Sequence, residues 1–259
     1  IFSSATINNN IQIENEILDT SKNIKIFGIY DPAKNNFDLN MWSRTDAENV
    51  RSSFKRIKKI QLSKTAANLF ENTILSYAYP PKGMNEKEFL NLKIDWMIEN
   101  KKIDLIEEFL KLNNAFPNKK KLIQYLVDSN ISQANIKKGC EKINFLDKNI
   151  KDSYLEKFKI YCLVFNKRTN EAQLQFDIFR KKNKSDKFFN DKINFLLGFT
   201  DKTSKKIKDD NLLNFYLSSV TITNFKYEPK LNTPKVIWEY LNAANLIKLD
   251  DANDKEKIK

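Results

Sequence analysis

The chain has 259 residues, of which 41% are apolar and 12% aromatic, and this composition supports a hydrophobic core and excludes a disordered polymer. Only 4 residues are glycine and 6 proline, which argues against the many tight turns of β-barrels and β-sandwiches. The formal net charge is +12, and no apolar run approaches the ~20 residues of a membrane-spanning helix.

The first 44 residues are predicted to form an extended segment before the helical body. Residues 1–23 are polar with a weak apolar period, and we expect a tail or a short helix laid on the body. IKIFGIY at 24–30 alternates in polarity and is rich in β-branched side chains, which predicts a short strand or an extended strap. Asp31-Pro32 is a turn signal, so we expect a loop after it.

Amphipathic helices are predicted to follow from residue 45. Thr45, Ser63 and Asn85 each precede an apolar stripe with helical spacing, and their side chains are suited to cap a helix N-terminus. Pro80-Pro81 is expected to end the second helix. A fourth helix, KKIDLIEEFLKLN, follows the third with almost no gap.

Paired helices then recur along the chain. The first helices of successive pairs are expected to begin near residues 86, 120, 151 and 186, a spacing of about 31–35 residues that is typical of helical-hairpin repeats. Ser132 and Thr169 are predicted to cap second helices. Because one amphipathic hairpin cannot bury both of its apolar stripes, we expect each hairpin to stack on the next.

The predicted fold is therefore all-α, a right-handed α-solenoid of helical hairpins over residues 45–200. Irregular caps are expected on both sides of it: the extended segment at residues 1–44, and a helical cap with a frayed tail at residues 201–259. Trp42, Trp96 and Trp238 lie among apolar residues, and we expect them to anchor the core.

The helix pair that is expected to begin near residue 151 resembles a degenerate tetratricopeptide (TPR) repeat. The residues that match the pattern of its first helix are Phe158, Tyr161, Cys162 and Phe165. The second helix departs from the pattern, because Leu174 and Ile178 stand where alanine and an aromatic residue are usual and the closing proline is missing. The resemblance covers under half of the chain and implies a helical repeat that binds other proteins.

The order of the parts also resembles a class of exported alphaproteobacterial TPR-like proteins. The shared features are a Trp-containing segment like DLNMWSRTDAENV, a helix pair ending like LSYAYPP, and one cysteine in each of two consecutive helices. This resemblance implies a periplasmic, non-enzymatic protein, and a cytoplasmic location is the alternative. Because the chain begins at Ile1 rather than Met, we expect that a preceding segment was removed.

Cys140 and Cys162 are the two cysteines of the chain. In an oxidising compartment they are candidates for a disulfide between successive helices, whereas in a reducing one they are two small apolar core residues. If the turn lies near 147–149, the two are offset by most of a helical turn, which only a tilted crossing or an asymmetric turn would close. Both interpretations stay open.

The sequence predicts no catalytic, metal-binding or cofactor-binding residues. The chain has no histidine, which excludes Ser-His-Asp and Cys-His nucleophile systems and histidine metal sites. P-loop, GxGxxG and CxxC motifs do not occur. Glu107-Glu108 lies among lysines on a face that we expect to be exposed, whereas a glycosidase-type acid/base pair needs a cleft.

The basic residues are nearly all lysine, at helix ends or hairpin tips, where they complement the helix dipole and favour solubility. Nucleic-acid binding is disfavoured because arginine, the preferred reader of phosphates and bases, is scarce. The alternative is a docking surface for an acidic or phosphate-bearing partner. The candidate partner-binding residues are Tyr125, Tyr154, Lys119, Lys120, Lys121, Lys182 and Lys184.

These patterns favour a non-enzymatic interaction or scaffold module that binds a protein or peptide on a solenoid surface. A first alternative is a helical scaffold related to the superhelical domain of cell-wall lytic transglycosylases. A second alternative is a basic nucleic-acid-binding protein, which predicts strongly salt-dependent binding.

Overall fold

The structure is a computed structural model that describes residues 24–147, 150–182 and 186–247. Within these residues it contains eleven α-helices, two short 3-10 helices and no strand, so the predicted all-α class is confirmed for the described part of the chain. The chain divides into two compact units, Ile1–Leu122 and Ile123–Lys259, with the division inside α5. The predicted boundaries at 44/45 and 200/201, and the solenoid arrangement, stay predictions.

The helices of unit 1 are α1 (Ala47–Ile57), α2 (Lys64–Leu75), α3 (Glu86–Glu99), α4 (Ile103–Leu112) and the start of α5 (Lys119–Ser132). Two predicted caps are confirmed: Ser63 Oγ accepts from the Ala66 N–H at 3.3 Å, and Asn85 Oδ1 accepts from the Glu88 N–H at 2.8 Å. The Thr45 cap is wrong, because α1 begins one residue later, with Asp46 in the capping position.

Unit 1 is held together by aromatic contacts between its first three helices. The ring of Phe70 lies 5.2 Å from that of Phe54 and 5.9 Å from that of Trp96, centroid to centroid. These edge-to-face contacts join α1, α2 and α3 in a core that buries large apolar area. The prediction that Trp96 anchors the core is confirmed, and Trp42 is half-buried with its ring edge-on to Phe89.

Residues 24–30, named the strap here, run extended through unit 1 beside the segment that follows α2. The Ile29 N–H donates to the Leu75 carbonyl at 2.7 Å, and the Tyr77 N–H donates to the Tyr30 carbonyl at 3.0 Å. These bonds form one isolated parallel bridge rather than a ladder. Of the two predicted forms, the structure therefore shows the extended strap.

The helices of unit 2, after the end of α5, are α6 (Ile136–Lys142), α7 (Ser153–Phe165), α8 (Thr169–Lys182), α9 (Lys187–Leu196), α10 (Leu212–Thr221) and α11 (Lys235–Ala243). The α5 helix runs through Ser132, and Asn135 caps α6 instead, by accepting from the Lys138 N–H at 3.3 Å. Thr169 is the first residue of α8 rather than a cap before it. The predicted caps at these two positions are therefore wrong.

A cluster of tyrosines joins three helices of unit 2. The hydroxyls of Tyr161 on α7 and Tyr216 on α10 are 2.6 Å apart, and the Tyr216 ring lies 5.7 Å from that of Tyr240 on α11. Each phenol packs its ring in the core and finds a partner for its hydroxyl, as buried tyrosines must. Trp238 is 41% exposed on α11, so the prediction that it anchors the core is wrong.

Candidate functional site

Tyr154, one of the predicted partner-binding residues, directs its hydroxyl into unit 2. It lies in the first turn of α7 and donates a hydrogen bond to Asp128 Oδ1 on α5. The backbone of Leu213, at the start of α10, favours the ionised phenol and so opposes the rise in its pKa. The side chain thus connects three helices of unit 2, and its polar end is used within the fold.

Burial controls the charge of this pair. It raises the pKa of the Asp128 carboxyl to about 6, even though hydrogen bonds from Tyr154 and Gln124 favour the carboxylate. It also raises the pKa of the Tyr154 phenol, and the nearby Asp128 carboxylate raises it further. The pair can hold or release one proton near neutral pH, and the expected consequence is a pH-dependent stability.

Tyr125, the other predicted aromatic contact, is half-buried on α5. Burial, and secondly the carboxylate of Glu239 on α11, raises the pKa of its phenol. Tyr125 and Tyr154 therefore lie against other helices of unit 2, and neither presents its whole ring to a partner.

The predicted basic cluster at the start of α5 does not form one surface. Lys119 is buried and donates to the Asn114 carbonyl at 2.8 Å, which corrects the prediction that it faces a partner. Lys121 forms an ion pair with Asp95 on α3 at 2.5 Å, and Lys120 is exposed. Lys119 and Lys121 thus connect the start of α5 to the loop after α4 and to α3, within unit 1.

The last turn of α8 is basic and exposed. Lys182 lies there beside Lys181 and Arg180, and Arg180 is 3.8 Å from Asp177 one turn earlier. Lys184, the remaining predicted basic residue, lies outside the described residues.

An apolar pair faces solvent on the same helix. Leu174 is 59% exposed and Ile178 is 40% exposed, and their spacing of four residues places them on one face. The core side of α8 is formed instead by Ala172, Phe176 and Phe179. Leu174, Ile178 and the basic last turn together are named the α8 face here.

An open depression of about 480 Å³ lies next to the α8 face. Its lining is polar and includes Asp177, Arg180 and Lys181 of α8 and Asn190 of α9. The Asn190 side-chain oxygen is buried and has no hydrogen-bond partner among the described residues. An unused buried acceptor lowers the stability of the fold.

A buried amine holds the strap in unit 1. Lys93 on α3 is only 1% exposed, and its Nζ donates to the Phe27 carbonyl at 2.6 Å and to the Ser76 carbonyl at 2.9 Å. The ring of Phe89 lies 4.7 Å from the same nitrogen. Burial lowers the pKa of Lys93 to about 7, because the charged form has lost its water.

A buried amide holds the next carbonyl of the strap. Asn113, directly after α4, donates from Nδ2 to the Gly28 carbonyl and to the Phe109 carbonyl, both at 2.9 Å. Lys93 and Asn113 thus bind two consecutive peptide groups of the strap. The strap groove is defined here as these two side chains, the backbone of residues 75–77, and Phe116.

Unit 2 contains a second buried lysine in a comparable role. Lys192 on α9 donates to the Ser204 carbonyl at 2.6 Å, and Asp191 accepts from the Ser204 N–H at 2.9 Å and from the Thr203 hydroxyl at 2.6 Å. Burial lowers the pKa of Lys192 and the Asp191 carboxylate opposes this. In both units, a buried lysine of a helix thus holds an irregular segment by donating hydrogen bonds to the backbone carbonyls of that segment.

The two cysteines are joined in the structure. Cys140 on α6 and Cys162 on α7 form a disulfide, with their Cα atoms 5.4 Å apart, within the range that a disulfide requires. Gly139 permits the close approach of these helices, because a Cβ there would lie 3.3 Å from the Phe158 ring. The disulfide links the short helix α6 to α7.

Within the described ranges, no group of three or more Cys, Asp or Glu side chains is placed to bind a metal ion. None of the helices there combines the length and apolarity needed to cross a membrane.

Sequence reasoning missed the two buried side chains of the strap groove. Lys93 occupies a core position of α3, four residues after Phe89 and four before Met97, and this lysine within an apolar stripe was the available signal. Asn113 gives no comparable signal, because an asparagine directly after a helix is a common terminator.

The chain was compared with protein-family models, with curated proteins and with solved structures. No family model matches it, and neither a curated protein nor a solved structure matches it.

Proposed function

We propose that this protein is a non-enzymatic interaction module, in which helical hairpins stack as a right-handed α-solenoid and one helix face binds a protein partner. The consecutive helices α3 and α4, and α7 and α8, pack as pairs across short turns, and this supports the hairpin part of the proposal. Neighbouring hairpins in a solenoid leave an extended surface available for partners.

The α8 face is the observation that carries this proposal. Two large apolar side chains of one helix, Leu174 and Ile178, are exposed, while the opposite side of the helix is packed in the core. Interaction surfaces combine such apolar side chains with a polar rim. The adjoining depression, lined by Asp177, Arg180, Lys181 and Asn190, supplies part of that rim.

The partner that fits this face is an acidic segment with apolar side chains on one side. Arg180, Lys181 and Lys182 end the helix with three cations, and the chain as a whole carries a net charge of +12. Opposite charge steers association and suppresses basic competitors. An amphipathic acidic helix satisfies both the apolar pair and the cations.

The exposed fractions of Leu174 and Ile178 set the size of the expected effect. Together they amount to about one fully exposed aliphatic side chain. Burying one such side chain stabilises a complex by about 1.5–3 kcal/mol, which is about 10- to 100-fold in affinity.

The test is a titration with a fluorescein-labelled synthetic peptide that has leucine on one helix face and glutamate on the others. We expect the native chain to bind it, and the double variant Leu174→Ser/Ile178→Ser to bind about 10- to 100-fold more weakly. Thr169→Ser/Gln173→Ser is the matched control, because both residues are exposed polar positions of α8 away from the Leu174 and Ile178 stripe, and it should bind like the native chain.

Equal binding by the native chain and the Leu174→Ser/Ile178→Ser variant would refute the assignment of this face. A peptide of the same composition in scrambled order should not bind. The transglycosylase-like and nucleic-acid interpretations stay alternatives. Tighter binding of a single-stranded oligonucleotide than of the peptide, with a steep dependence on salt, would favour the latter.

We also propose a periplasmic location, and the disulfide between Cys140 and Cys162 supports it, because such bonds persist in oxidising compartments. Chain isolated from the periplasm should show no free thiol under denaturing conditions before reduction and both cysteines after it. Free thiols in periplasmic material would contradict this.

A further inference from the structure

The strap groove of unit 1 binds the strap through its backbone. Lys93 Nζ and Asn113 Nδ2 donate to the consecutive carbonyls of Phe27 and Gly28, at 2.6 and 2.9 Å. On the other side, the Ile29 N–H donates to the Leu75 carbonyl at 2.7 Å. Main-chain hydrogen bonds of this kind also hold extended peptides that bind to other proteins.

The partners of the strap in the groove are distant in sequence. Leu75, Lys93 and Asn113 all lie more than 40 residues after the strap, so the groove is built by parts of the chain that are not its immediate neighbours in sequence. The same hydrogen bonds form equally well with an identical segment from another molecule.

The groove also selects a particular sequence. A Cβ at Gly28 would lie 2.6 Å from the Tyr77 nitrogen and 2.9 Å from the Leu75 oxygen, so only glycine fits there. Next to it, the ring of Phe27 lies 6.0 Å from that of Phe116. An aromatic residue followed by glycine is therefore the pattern that the groove accepts.

An empty groove would be unfavourable. Lys93 is almost completely buried and Asn113 is buried, and without the strap each loses one of the two carbonyls to which it donates. A buried donor that loses an acceptor is disfavoured, so the occupied groove is more stable than the empty one. Exchange of one occupant for another of the same sequence costs no hydrogen bond.

The connection after the strap provides a hinge. A 3-10 turn at Pro32–Asn35, capped by Asp31, lies between the strap and Leu39, whose carbonyl accepts from the Tyr79 N–H at 2.9 Å. If the residues from 31 to 38 unfold, they span about 26 Å when fully extended. The strap can then leave its own groove while the backbone from Leu39 onward stays bound.

We propose that the strap groove is a binding site for an extended peptide, and that its occupant in trans is the strap of a second copy of this chain. Two copies exchange straps and form a dimer in which each groove is filled. A second copy is the partner because the groove matches the side chains of residues 27 and 28 and binds the backbone of residues 27–29.

The test separates the groove from the strap in two full-length variants. Gly28→Val has an intact groove and a strap that cannot enter it, whereas Lys93→Met/Asn113→Leu has an intact strap and a groove that cannot bind it. Each variant alone should sediment as a monomer. An equimolar mixture should form a species of twice the chain mass of 30.5 kDa.

A mixture that stays monomeric overturns the exchange between copies. If Gly28→Val does not fold, Gly28→Ala replaces it as the chain whose own strap does not fit the groove, because its added side chain is smaller. With it, a labelled synthetic peptide of residues 24–31 should bind about 10- to 100-fold more tightly than the same peptide with valine at Gly28. Equal binding of the two peptides overturns the groove as a peptide site. Selective peptide binding together with a monomeric mixture assigns the groove to a foreign segment and overturns the second copy as its occupant.

Discussion

The buried Asp128–Tyr154 pair predicts that unit 2 is more stable in mild acid than at neutral pH. Burial raises the pKa of Asp128 from 3.8 to about 6, so between these values the folded chain holds a proton that the unfolded chain releases. The stabilisation is complete below about pH 4 and is lost as the pH rises through about 6. A shift of about two units corresponds to about 3 kcal/mol of unfolding free energy.

The perturbation that isolates this effect is Asp128→Asn. The amide keeps an oxygen that accepts from the Tyr154 hydroxyl and does not ionise. At about pH 7.5 we expect the variant to be more stable than the native chain by up to about 3 kcal/mol, and at about pH 4 the difference should vanish.

The assay is urea denaturation followed by far-UV circular dichroism, for both proteins, at several values from about pH 4 to about pH 8. Only the difference between the two proteins is used, because other groups that titrate contribute equally to both. A difference that is constant over this range, or that favours the native chain at neutral pH, would refute the argument that burial controls the charge of Asp128.

Three further effects follow from the other buried contacts. Lys93→Met leaves the Phe27 and Ser76 carbonyls without their donor and should lower the unfolding free energy by about 1–3 kcal/mol. Because burial lowers the pKa of Lys93 in the folded chain to about 7, the native chain should also gain stability from about pH 7 to pH 10, and the variant should not. Reduction of the Cys140–Cys162 bond, whose cysteines are 22 residues apart, should cost about 3 kcal/mol in urea denaturation, and a chain with both cysteines changed to alanine should not respond to reductant. Tyr161→Phe or Tyr216→Phe alone should cost about 1–3 kcal/mol, whereas the double variant should cost less than the sum of the two, and strictly additive costs would contradict their mutual hydrogen bond.

The helical class and several helix starts could be predicted from the sequence, because they depend on local chemistry. Ser63 and Asn85 cap their helices through bonds to an N–H three residues later, a range that the sequence displays directly. The prediction that Thr45 caps α1 was wrong because of a tertiary contact. The N–H of Ala47 is bound by the Lys82 carbonyl from a distant segment, which fixes the start of α1 one residue later.

The binding surfaces were less predictable, because they depend on which side of each helix becomes covered. Leu174 and Ile178 have the spacing of a core stripe, yet Phe176 and Phe179 take the core side of α8. Tyr154 is of a residue type common in binding surfaces, but its hydroxyl donates a hydrogen bond to Asp128 of α5 within the fold. Such contacts over long sequence separations leave no local pattern.

The most direct test of the interaction-module proposal is a methyl NMR titration of the full chain with the acidic amphipathic peptide. If the α8 face is the binding surface, the methyl resonances of Leu174 and Ile178 shift in proportion to added peptide, while those of the buried Leu213 and Ile193 stay in place. Unchanged Leu174 and Ile178 resonances at saturating peptide would contradict the proposal.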